Sequence, residues 1–467
     1  MARRRGVFKI LLVLALGWLV LNNLSQVKAG GSELALAAAM YFVCLLPLLI
    51  YFVRREENIP YLPIMGIYYF VFFGLPIFNN YNWFILQGID PVTTTRCLGL
   101  ALWGFVSLLI AFYTPLGGIV NLMVIPLKMP WDHRRAYRMA IFLGLAGIAL
   151  QYVTSGRNIP VGLTGPVTFI KELSIFSILI LFMLQLQNKL KFRGKAFLWL
   201  GLFLPRMLLD LITGMTAGIA MHMTAIFFVY LYYRHRLPLF RIALAGLAFF
   251  VIFSARNSYR GLTAFRGPQE EYSPIEDVNL YLKLIFDKIK GEKEQHRETY
   301  EAIASRTDNL IIFAKVVEAT PKYVPYWDGY TYSTLLSSVI PRLIYPDKPK
   351  KVLGQEFGHR YSLLHYTDTK TSIGLPFLTE MYVNFGPLAV IAGMFILGLV
   401  YRALYAILNH PQAGEGGFVI AVMIFKQFLN IDSYFALIAG SVLQYILLFY
   451  IIARRMQAPV GRIGEIK

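Results

Sequence analysis

Three arginines stand at short spacing in one stretch: Arg256, Arg260 and Arg266, within SerAlaArgAsnSerTyrArgGlyLeuThrAlaPheArgGly at 254–267. Arg157 and Arg342 are further arginines outside the main basic clusters. Arginine stays charged at any working pH, and its planar fork matches phosphate oxygens in pairs. At ~4 Å and an effective dielectric near 20, one such contact is worth roughly 4 kcal/mol before desolvation. Several converging would hold a pyrophosphate and stabilise it as a leaving group. The plain alternative is pairing with lipid headgroups or with acidic residues nearby.

Groups able to take a proton come next. Glu380 and Asn384 stand four apart and so share one helix face. A carboxylate there could deprotonate an acceptor hydroxyl; the plain alternative is a first-turn acid favoured by the helix dipole. His359 and His365 are the other candidate bases. Inside the apolar runs, Arg206 and Asp210 are four apart, with His222, Lys426 and Asp432 as further polar sites. An ionisable group inside a membrane span is a functional candidate by default, although an i, i+4 pair can also simply neutralise itself. Tyr323, Tyr326, Trp327, Tyr330 and Tyr332 could form a platform for sugars or an interfacial aromatic belt.

Absences narrow the chemistry. Between the first two apolar runs Glu33 is the only acid, so no acidic pair chelates a divalent cation there. HisGluXXHis and cysteine–histidine spacings are lacking, and the two cysteines, Cys44 and Cys97, sit in apolar runs. No metal or cofactor is expected. With no nucleotide motif, any synthesis must run on an activated substrate.

The elements that position these residues follow from hydropathy. Apolar residues make up 57% of the chain and charged ones 15%, with a mean hydropathy of +0.55. A soluble domain is about a quarter charged, so the composition predicts an all-α polytopic membrane protein. Apolar runs predict spans near 8–24, 33–53, 61–78, 96–114, 138–154, 167–187, 195–213, 216–233, 238–254, 383–404, 417–431 and 434–453, about 12 transmembrane helices. The net charge of +19 does not point to nucleic acid, because its lysines and arginines cluster between these runs. Examples are Arg3–Arg5, Arg54-Arg55, Arg134-Arg135-Arg138, Lys189 to Lys195, Arg234-Arg236 and Arg454-Arg455. By the positive-inside rule these loops and both termini are cytoplasmic.

The segment 255–377 is then a large, mostly helical external loop between spans 9 and 10. It divides the chain into a membrane domain at 1–254, the loop subdomain at 255–377, and a second membrane domain at 378–467. Within the loop, 278–289 reads as an interfacial helix and 299–319 as a second helix stopped by Pro321. The stretch 330–344, apolar and followed by prolines, reads as dipping back toward the bilayer.

This organisation resembles the Wzy-type oligosaccharide repeat-unit (O-antigen) polymerases. The resemblance lies in the twelve spans and late external loop, and in SerGlyArgAsn at Ser155–Asn158. It extends to the arginine–glycine run from Arg256 to Gly267, IleProArg…TyrPro…LysPro at 340–349, and Glu380…Asn384-Phe385-Gly386. It implies a GT-C-like, O-antigen polymerase-ligase architecture on the inner membrane of a bacterium. The implied activity joins polyprenyl-pyrophosphate-linked oligosaccharides into a polysaccharide, using neither metal nor nucleotide. Its partners would be the lipid-linked donor and acceptor, membrane lipid, and a chain-length regulator and flippase of the same pathway. Carried onto this chain, Arg256, Arg260, Glu380 and His359 are the catalytic candidates. Arg157, Arg266, Arg342, Asn384 and Tyr330 are the candidates for binding pyrophosphate and sugar. An O-antigen ligase using the same donor, a lipid-linked oligosaccharide transporter and an accessory export subunit are the competing readings.

Overall fold

The structure, a computed structural model, describes residues 15, 17, 18 and 30–457. It leaves out 55–59, 80–87, 125–127, 156–158, 161–162, 214–215, 265–272, 291–308, 341–344, 346–351, 370, 409 and 431. Among the described residues all regular structure is helical, apart from one antiparallel bridge between Trp131 and Gln457. The chain runs through α1 (Gly31–Arg54), α2 (Tyr61–Phe73), α3 (Pro91–Tyr113), α4 (His133–Thr154) and α5 (Thr164–Leu186). It continues through Phe192–Ala196, a π-helical stretch at Phe197–Phe203, α6 (Leu204–Leu211), α7 (Thr216–Arg234) and α8 (Leu239–Ala264). Shorter helices follow: α9 (Pro274–Ile289), α10 (Asn309–Ala319), α11 (Leu335–Val339), α12 (Leu353–Arg360) and α13 (Phe377–Phe385). The last three are α14 (Pro387–Leu408), α15 (Gly414–Phe428) and α16 (Phe435–Met456).

Eight helices among the described residues are long and apolar enough to cross a membrane. They meet the spans expected at 33–53, 61–78, 96–114, 138–154, 167–187, 238–254, 383–404 and 434–453. The other expected spans differ. The run at 8–24 lies almost wholly outside the described residues. The run at 195–213 lies in a continuous helix from Phe192 to Leu211 whose middle is π-helical, next to Pro205, which brings no N–H to the helical ladder. There the Leu204 N–H reaches back to the Trp199 carbonyl in the wider π register. The runs at 216–233 and 417–431 form α7, of 19 residues, and α15, of 15 residues.

One predicted boundary is corrected. Span nine does not end at 254: α8 continues to Ala264, so Arg256 and Arg260 are helical residues rather than loop residues. Polar residues continue an established helix readily, since each adds one backbone bond without a new nucleation cost.

Short connections and cross-ties define two ends of the bundle. At one, Met129 N–H donates to the Ala413 carbonyl at 2.8 Å and Asp132 N–H to the Met456 carbonyl at 2.8 Å. Lys189 meets His133 at the same end. The opposite end collects Thr154, Leu211, Thr216, Phe428 and Phe435. Tyr259 of α8 joins it by donating to the Ile212 carbonyl at 3.0 Å. Helix α8 ends there, and we call it the loop end.

Close helix contact depends on small residues, as it does where lipid removes the usual hydrophobic drive between helices. A Cβ on Gly147 of α4 would meet the Ser174 backbone nitrogen of α5 at 2.7 Å. One on Gly398 of α14 would meet the Leu108 carbonyl of α3 at 2.5 Å. Helix α11 descends beside α16, with Gln444 Nε2 donating to the Ser338 carbonyl at 3.3 Å.

Candidate functional site

Two polar centres lie toward the loop end. The first is built on α13, a short helix that starts after Pro376 and stops at Gly386. At Gly386 a φ of +79° allows the turn into α14. Glu380 Oε2 accepts from the Phe435 N–H at 2.7 Å, so it caps the first residue of α16, whose own preceding residue, Tyr434, contributes no side-chain bond. One turn on, Asn384 Nδ2 donates to Thr331 Oγ1 at 2.9 Å and to the Glu380 carbonyl at 2.8 Å. Glu380, Asn384 and Thr331 are all fully buried.

Burial pushes the Glu380 carboxyl up to about 7; the Thr331 hydroxyl and the Phe435 N–H pull it back only in part. Glu380 Oε1 and Asn384 Oδ1 are buried acceptors that receive no hydrogen bond of good geometry from any described residue. A carboxyl poised near neutrality with a spare oxygen suits proton transfer.

Aromatic rings surround this carboxyl. The Trp327 N–H donates to the Val383 carbonyl at 2.9 Å, tying the 327–332 turn to α13. Tyr332 stacks on Phe385 with centroids 6.2 Å apart and meets Phe435 edge-on at 6.5 Å. Trp327 packs against Tyr330 at 5.8 Å and carries the Arg360 guanidinium over its face at 5.4 Å. Phe385 and Tyr330 remain 55% and 37% exposed, so part of this aromatic shelf faces outward.

The other sequence-predicted residues lie apart from it. Arg256 is buried on α8 with its guanidinium over the Phe253 ring at 5.6 Å, while Arg260, one turn on, is exposed. Helix α8 packs on α7 and α9, with Tyr281 of α9 donating to the Ile252 carbonyl at 3.0 Å; α13 packs on α14 and α10. The predicted catalytic set therefore falls on two helix groups. His359 is exposed on α12 and donates to the Asp368 carbonyl at 2.9 Å, and His365 bonds the Thr367 hydroxyl at 2.7 Å. Arg157, Arg266 and Arg342 lie outside the described residues.

The second centre gathers four of the polar residues found within the apolar runs. Arg206 Nε meets Asp210 Oδ2 at 3.1 Å, and His222 Nδ1 meets the same oxygen at 3.0 Å. Lys426 Nζ reaches Glu172 Oε2 at 2.6 Å, while Arg206 and His222 approach Glu172 Oε1 at 3.9 and 3.6 Å. Gln151 Nε2 donates to Asp210 Oδ1 at 2.8 Å. Sequence reasoning missed Glu172 and Gln151. Glu172 carried a usable signal, because Lys171 and Glu172 are the only charged residues in α5. Asp432 stands elsewhere, accepting from Asn309 Nδ2 at 2.6 Å. Among the described residues no group of three or more histidine, cysteine or acidic side chains could hold a metal ion.

Long apolar helices, small residues at their contacts and charges paired inside the bundle define a multi-pass, all-α membrane protein. The chain belongs to the family described as Domain of unknown function (DUF8712), which covers residues 58–458. No curated protein and no solved structure matches it.

Proposed function

We propose that this protein polymerises polyprenyl-pyrophosphate-linked oligosaccharide repeat units at its loop end, the external side by the positive-inside reading of its basic clusters and, by the family resemblance, the outer face of a bacterial inner membrane. One observation carries the reading: a buried carboxyl held near neutrality, with a spare oxygen, beneath a partly exposed aromatic shelf. In this reaction Glu380 takes the proton of an acceptor sugar hydroxyl. The freed oxygen forms a bond to the anomeric carbon of the donor. The bond from that carbon to the pyrophosphate oxygen breaks, and its electron pair leaves with the polyprenyl pyrophosphate. Arg256 and Arg260, which lie on the separate α8 group, are assigned to the departing charge from sequence alone, as are Arg157, Arg266 and Arg342. Tyr330 and its aromatic neighbours supply stacking surface for sugar faces.

The test is reconstitution of the purified protein in liposomes with a lipid-pyrophosphate repeat unit, with and without EDTA. A ladder of polymer lengths that survives EDTA and is lost in Glu380→Gln supports the reading. The charge cluster around Glu172 favours a second one, a lipid-linked oligosaccharide transporter. Movement of the lipid-linked sugar across the bilayer without any ladder would select that class instead.

A further inference from the structure

The Glu172 centre holds more than a set of salt bridges needs. Asp210 already has a permanent cation in Arg206, and Glu172 has one in Lys426. Arg206 is anchored further by donating to the Lys171 carbonyl at 2.8 Å and to Ser174 Oγ at 3.0 Å. Two acids and two fixed cations balance without help. Yet His222 of α7, 3% exposed, is set between the two carboxylates, one ring nitrogen toward each. A neutral imidazole has one N–H to donate; the doubly protonated ring has two. The geometry offers an acceptor to each nitrogen, so a neutral ring leaves one lone pair facing a carboxylate oxygen.

We propose that His222, held between Asp210 and Glu172, is a proton-binding site that fastens α7 to α5 and α6. With the proton bound, the ring donates to Asp210 at 3.0 Å and holds a charged N–H 3.6 Å from Glu172, an ion-pair contact. On its loss, one of the two ties goes and α7 is released on that side. The proton exchanges with water at the loop end, where Leu211 and Thr216 terminate the flanking helices. This inference does not depend on the polymerase reading.

The groups facing the ring come from every neighbouring element. Helix α4 brings Gln151, α5 brings Lys171, Glu172 and Ser174, α6 brings Arg206 and Asp210, and α15 brings Lys426. Tyr445 of α16 is close enough to Glu172 and Arg206 to feel both charges. Helix α8, which also packs on α7, places Arg241 over Tyr230, two turns from His222 toward the other end. Because Arg206 and Lys426 already neutralise the two acids, the imidazole is the member of the cluster left to gain and lose a proton. A purely structural pin would work as well with glutamine at this position.

Nitrogen-15 NMR of the full chain in lipid tests this directly. His222 is made the one labelled imidazole by replacing the other histidines of the seven in the chain. Both ring nitrogens are expected to carry protons at about pH 5, with one lost on raising the pH to about 8. Asp210→Asn should shift that midpoint. A single neutral tautomer at every pH overturns the proposal. A second measurement uses the Glu380→Gln background, in which Glu380 no longer titrates. There the Tm profile over the same interval should change on adding His222→Gln. Parallel profiles with and without His222 would sink the idea.

Discussion

The two polar centres solve burial in opposite ways. Glu172 and Asp210 each have an opposite charge within 4 Å: Arg206, one turn away on the same helix, for Asp210, and Lys426 and Arg206, from helices distant in sequence, for Glu172. Around Glu380 the contacts on the carboxyl are neutral: a backbone N–H and a hydroxyl. Acids paired with a permanent cation stay ionised. A lone carboxyl among dipoles drifts up to about 7 and becomes able to exchange its proton. The first arrangement braces the helices, and the second leaves a reactive group. The contrast explains why the centre with more charged residues is the weaker candidate for chemistry.

The largest effect should come from unbalancing the charged centre. Lys426→Met leaves Glu172 without its shortest contact and is expected to cost about 3–5 kcal/mol, as breaking a buried pair does. Glu172→Leu combined with Lys426→Met should recover much of that loss, because the remaining Arg206–Asp210 pair is balanced. Denaturant or thermal unfolding in detergent measures both. Failure of the double variant to recover would mean that the centre is held by something other than charge balance.

Glu380→Gln should do the reverse. Polymer formation is expected to fall by roughly 10²–10⁴-fold, the usual contribution of a general base, while an amide oxygen still caps α16 and stability holds. If stability collapses and the residual protein keeps full specific activity, Glu380 is a cap and nothing more.

The pH dependence sharpens the same distinction. The folded value of about 7 lies above the ordinary 4.5, so the folded protein holds this proton more tightly than the unfolded chain does. The resulting stability is present in full below about 4.5 and is lost as pH rises through about 7. Activity runs the other way, because the base must be ionised: polymer yield should climb through about 7. Stability and yield measured on one preparation should cross, and Glu380→Gln should flatten the stability curve through this range.

The smallest expected effect belongs to Thr331→Val. Losing the hydroxyl removes a bond that favours the carboxylate, so the activity midpoint should move to higher pH with little change in yield at alkaline pH. An unmoved midpoint would show that Thr331 serves only to hold Asn384.

Much of the scaffold could be read from residue order. Eight spans follow from apolar length, and Glu380 with Asn384 from i, i+4 spacing ahead of a span. The descent of 335–339 beside α16 agrees with its apolar sequence between polar stretches. Less visible was the continuation of α8 through Arg256 and Arg260, since polar residues in a helix and in a loop have the same hydropathy. The π-helical stretch ahead of α6 was readable only at Pro205, whose missing N–H costs a bond that composition does not register. Arg206 and Asp210 were visible as neighbours on one helix, but Glu172, on another helix, was not.

What the sequence determined alone is what adds up locally along the chain: membrane class and most of the helices. Transfer of apolar side chains out of water is a sum over neighbours in order, so order suffices. Which charge meets which was decided by the tertiary structure. Gln151, Glu172, Arg206, His222 and Lys426 come from five separate helices, and their distances depend on how α4, α5, α6, α7 and α15 pack. The same holds for Glu380: its type and spacing are in the sequence, but its burial against the first residue of α16 sets its proton affinity.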